Sequence, residues 1–75
     1  MNKTNVNINK DFVIYCIQTD RLHRFTGTNK IVLYACIDEA RNDATNLGAG
    51  YFVHKVTDAL PHHLEEIKVQ IINDA

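Results

Sequence analysis

The stretch KIVLYACIDEARNDATNLGAGYFVHKV, from Lys30 to Val56, constrains the fold more than any other part of the chain. Lys30 to Cys36 is apolar and rich in β-branched and aromatic residues, the composition of a strand. Asp38 then stands where a helix N-cap is wanted, and Glu39 adds a second negative charge near the positive end of the helix dipole. Ile37, Ala40, Ala44 and Leu47 recur at helical spacing and form one narrow apolar stripe. Gly48 suits the left-handed position just past a helix end, Ala49 and Gly50 complete a turn, and Tyr51 to Val56 is a second apolar run. The spacing predicts a strand over 30–36, a helix over 38–47 and a strand over 50–57.

The flanking segments complete the pattern. Phe12 to Ile17, FVIYCI, predicts a strand over 12–18, and Gln18 to Asn29 reads as a polar loop around Gly27. Leu60, Leu64, Ile67 and Ile71 share one helical face, and Pro61 is tolerated in a first turn, which predicts a helix over 61–73. Ile67, Val69 and Ile71 also alternate with Lys68 and Gln70 as a strand would; the stripe reaching back to Leu60 favours the helix. Residues 1–9 read as an Asn-rich lead-in in which Val6 and Ile8 alternate and would suit a short edge strand. The expected fold is a single small α+β domain over 10–75, in the order ββαβα. It has a three-stranded mixed sheet, a hairpin closed by the long loop, and a right-handed crossover from the second strand to the third.

Strands this apolar need cover on both faces. One short helix supplies only one layer, so the second face falls to the C-terminal element or to another subunit. At 75 residues a chain buries only about 60% of its unfolded surface, which adds a reason for self-association.

Charge excludes little by its total, which is −1. Residues 1–35 carry five Lys and Arg against two Asp, whereas residues 36–75 carry three basic against seven acidic residues. That asymmetry leaves room for electrostatic pairing with a partner. The N-terminus has no apolar core of a secretory signal, and no apolar run approaches the roughly 18 residues of a membrane span. Two cysteines without such a signal fit free thiols in a reducing, cytoplasmic setting.

Cys36 precedes a helix start, where a thiolate is favoured, but a phosphatase-type loop needs Arg six residues on and glycine between; Arg41 comes one residue early. Cys36 therefore reads as a half-buried structural residue, and Cys16 as a strand residue too distant from it for a disulfide. No serine is present for a hydrolytic triad. Gly48 and Gly50 precede a strand, whereas a dinucleotide loop follows one. The stretch Thr26 to Lys30 lacks the GK[ST] ending of a phosphate loop. His62 with Glu66, or His63 with Glu66, has metal-clip spacing, yet adjacent helical histidines diverge by about 100°, so no metal and no cofactor are expected. Arg21, His23, Arg24, Phe25 and Lys30 form a basic loop with one aromatic, a set able to contact phosphates and stack on a base.

The expectation is a non-enzymatic interaction or regulatory module that forms a homodimer and binds a partner protein. Nucleic-acid binding through Arg21–Lys30 is the second reading, and a small cysteine- or histidine-dependent enzyme the third.

Overall fold

The computed structural model describes residues 10–74, which form three strands and two helices in a small α+β arrangement. The lead-in expected at 1–9, with its short edge strand, lies outside the described residues. Strand β1 (Phe12–Cys16) turns back at once through Ile17–Asp20 into β2 (Arg21–Leu22), pairing Tyr15 with Leu22 and Cys16 with Arg21. Asp20 takes a positive φ of 55° at the corner, a conformation Asp tolerates better than most side chains. After α1 (Ile37–Leu47), β3 (Tyr51–Lys55) pairs antiparallel with the other side of β1 over its whole length, from Phe12 opposite Lys55 to Cys16 opposite Tyr51. A single 3-10 turn, Val56–Asp58, leads to α2 (Pro61–Asp74).

The sheet is therefore antiparallel in the order β2–β1–β3, and the expected mixed sheet with its crossover is corrected. The predicted strand over 30–36 is the cause. That segment serves two neighbours, touching Arg24 through Ile31 and Phe12 through Tyr34 as isolated bridges, so it forms no continuous ladder. Its alternation survives all the same. Ile31 and Leu33 pack on one side of the sheet, Val32 and Tyr34 on the other. The long loop is likewise corrected: it contains β2 and a second turn, with Phe25 N–H donating to Lys30 O at 2.9 Å.

Both faces of the sheet are covered within the chain. On one, α1 brings Ala40 and Ala44 against Ile14 and Tyr34, the small side chains allowing close approach. On the other, Ile67 of α2 joins Val13, Leu22 and Ile31. Each aliphatic side chain removed from water here contributes about 1.5–3 kcal/mol to folding. The C-terminal element thus supplies the second layer that the strands demand.

Helix ends differ in detail from expectation. The N-cap of α1 is Cys36, in extended geometry without a capping side chain, and Asp38 lies inside the first turn. Gly48 (φ 111°) and Gly50 (φ 90°) turn the chain from α1 into β3 through backbone conformations that other residues resist. The buried face of α2 is also rotated. It comprises His63 and Ile67 with Gln70 half-buried beside them, while Leu60 and Ile71 are 46% and 43% exposed. The reason is polar. Gln70 donates to Ile31 O at 2.9 Å and accepts from Ile31 N–H at 2.7 Å, closing the open edge of the 30–34 segment as a strand would. Among the described residues, no helix is long and apolar enough to cross a membrane.

Candidate functional site

Among the described residues, two places along α2 bring polar side chains of distant segments together. The first is where the β1–β2 corner meets the start of the helix. His63, only 2% exposed, donates from Nε2 to the Asp20 carbonyl at 2.9 Å, the carbonyl fixing which ring nitrogen carries the proton. His62 Nε2 stands 3.4 Å from Asp20 Oδ2, and Tyr15 donates its hydroxyl to Asp20 Oδ1 at 2.7 Å. The imidazoles of His62 and His63 do not diverge: their ring centres are 4.1 Å apart, both turned to Asp20. Tyr15 also packs between His63 and His54, with ring centres at 5.5 and 5.4 Å. A helical projection treats the two histidines as fixed vectors, but side-chain torsions bring both rings to one carboxylate.

The Tyr15 hydrogen bond, followed by the neighbouring histidines, holds the Asp20 carboxyl below its ordinary range, and the same bond pushes the Tyr15 hydroxyl up. A carboxyl whose folded pKa is depressed contributes stability above its unfolded pKa. That contribution starts to fade below about pH 4 and is gone once pH falls past the folded value. An Asp20→Asn variant is therefore expected to be less stable than the parent at neutral pH, with the gap closing on acidification. Urea midpoints of the two proteins across the acid range measure it; a gap constant with pH would show that Asp20 plays no such part.

The second place is an open groove of about 790 Å3 between α2 and the turn that follows β2. Arg24, Lys30 and Ile31 stand on one wall, Glu66, Val69 and Gln70 on the other. Arg24 donates to both carboxylate oxygens of Glu66 at 3.1 and 3.3 Å, and to the Asn29 carbonyl at 2.8 Å. Its side chain is 13% exposed, and its Nε is buried without a partner. Glu66 is thus engaged by Arg24 rather than by either histidine.

The basic set read from the sequence is split by strand alternation. Leu22 and Arg24 turn toward α2, whereas Arg21, His23 and Phe25 belong to the opposite side of that segment, with Phe25 54% exposed. Arg24 and Lys30 meet in the groove; Arg21, His23 and Phe25 do not line it. What sequence reasoning missed is Asp20, whose only signal was its place beside a strand end.

The cysteines stay apart and free. Cys16 is buried, with hydrogen bonds led by the Thr19 hydroxyl holding its thiol pKa down. Cys36 is exposed, which corrects the half-buried expectation. Tyr34 donates to Asp43 Oδ2 at 2.8 Å beneath α1, and burial, then this carboxylate, raises its pKa.

Comparison with known protein families, with curated protein sequences and with solved structures finds no match to this chain.

Proposed function

We propose that the chain is a non-enzymatic interaction module, cytoplasmic, which associates with itself and binds a partner protein through the outer side of α2. One observation carries this reading. With Ile67 facing the core, Val69 and Ile72 project from the opposite side of the helix at 49% and 72% exposure. A helix that is apolar on both sides is normally buried on both. The adjoining groove offers a mixed apolar and charged wall suited to such a contact. Nucleic-acid binding draws less support, because Glu66 neutralises Arg24, and of the basic loop Lys30 lines the groove with Arg24 whereas Arg21 and His23 do not.

Light scattering on the eluting protein tests the self-association. The chain is expected to run as a dimer or larger species that shifts toward monomer on dilution, and Ile72→Glu is expected to weaken association by at least about tenfold, equivalent to 1.4 kcal/mol. A monomer at all concentrations that binds no hydrophobic dye would overturn the proposal.

A further inference from the structure

We infer that Asp20, His62 and His63 form a binding site for a divalent transition-metal ion of the zinc class. One ligand atom from each lies within 4.8 Å of the others, and the three come from two segments, the β1–β2 corner and the first turn of α2. Zinc bonds of about 2.0–2.1 Å in a tetrahedron set ligand atoms about 3.3 Å apart. Asp20 Oδ2 and His62 Nε2 already stand at 3.4 Å, while His63 Nε2 lies 4.0 Å from the other carboxylate oxygen, Oδ1, and within 4.8 Å of the ligand atoms of the cluster. The remaining contraction falls on Asp20 and His62, whose side chains are 57% and 60% exposed, while buried His63 is the fixed point.

The surroundings resemble the outer shell of a metal centre. Tyr15 anchors Asp20 Oδ1 and leaves Oδ2 directed at His62, the kind of second hydrogen bond that orients a ligating carboxylate. To ligate through Nε2 the neutral His63 ring changes tautomer, its proton moving from Nε2 to Nδ1, and the ion replaces the hydrogen bond from Nε2 to the Asp20 carbonyl. The Asp20 carboxylate offsets the positive end of α2, which would otherwise repel a cation. Two imidazoles and one carboxylate suit zinc, cobalt or nickel better than calcium or magnesium, which prefer oxygen. The exposed side of the cluster leaves coordination positions for water or for a donor from a partner protein.

Titration calorimetry of the full chain with zinc chloride, and visible absorption with cobalt(II), test the site. One equivalent of zinc is expected to bind, with a cobalt spectrum lacking thiolate charge-transfer bands. His62→Ala and Asp20→Asn are each expected to weaken binding by at least about tenfold. Both positions are exposed and Asn accepts the positive φ of residue 20, so both variants are expected to stay folded at neutral pH, Asp20→Asn with the reduced stability described above, and circular dichroism of each variant checks this before titration. Tyr15→Phe is expected to weaken binding by about 10–100-fold through loss of the oriented carboxylate, and Cys36→Ser to leave it unchanged. No saturable uptake, uptake intact in both ligand variants, or a thiolate band in the cobalt spectrum would each overturn the assignment.

Discussion

Replacing Gln70 by leucine is expected to lower the stability of the folded chain by about 2–6 kcal/mol, a large effect for a side chain that is not wholly buried. The reason lies in Ile31. Its amide and carbonyl face α2 instead of another strand, and the Gln70 carboxamide satisfies both, at 2.7 and 2.9 Å. Ile31 itself is only 2% exposed, so water is a poor substitute on that side. Leucine keeps the helix propensity and most of the volume, which confines the loss to two orphaned backbone groups at about 1–3 kcal/mol each. Chemical denaturation gives the total, and amide exchange at Ile31 identifies the origin: protection there is expected to fall further than at Ile14 or Val13 in β1. A change below about 0.5 kcal/mol, with Ile31 still protected, would mean that the carboxamide is incidental.

The same interaction explains what the sequence could and could not reveal. Local signals survive where one segment determines its own state. The apolar run of β1, the Ala40–Ala44 face of α1, the turn glycines and the helical course of 61–74 all follow from neighbours a few residues away. Pairing does not. Nothing in Lys30–Cys36 announces that its edge is met by a glutamine from α2 rather than by a strand, or that β3 pairs with β1 instead of with this segment. The rotation of α2 has the same origin, since hydrophobic periodicity counts only apolar residues, whereas His63 and Gln70 are drawn inward by carbonyl and amide groups of the chain. The candidate site was half legible. His62 and His63 stood out by their type, but Asp20 reaches them only through a corner whose shape rests on the Tyr15–Leu22 and Cys16–Arg21 register. Conversely, the basic run at 21–30 looked like one patch because a linear reading does not register the alternation that sends Arg24 to Glu66 and Arg21 to the other side.

The second large effect is expected in the core. Ile14→Ala should cost about 2–5 kcal/mol, and Ile14→Val about 0.5–1.5 kcal/mol. Ile14 is fully buried under α1, in the middle of the central strand. Its backbone is held on one side by pairing opposite Val53 and on the other by the His23 N–H, which donates to the Ile14 carbonyl at 2.7 Å. A strand tied on both edges cannot shift inward to fill the space. The facing residues, Ala40 and Ala44, are too small to fill it. The cavity therefore stays open, and the penalty is expected toward the upper part of the range. For a chain of this length total stability is roughly 4–11 kcal/mol, so the alanine variant is expected to lose a large share of it while the valine variant keeps most. Urea unfolding followed by far-ultraviolet circular dichroism separates the outcomes: a shifted midpoint with unchanged slope is the expected signature of a cavity. If alanine and valine proved equally mild, the α1 layer would have to be mobile enough to settle onto the sheet, and the close helix–sheet contact through Ala40 and Ala44 would not be what holds that face.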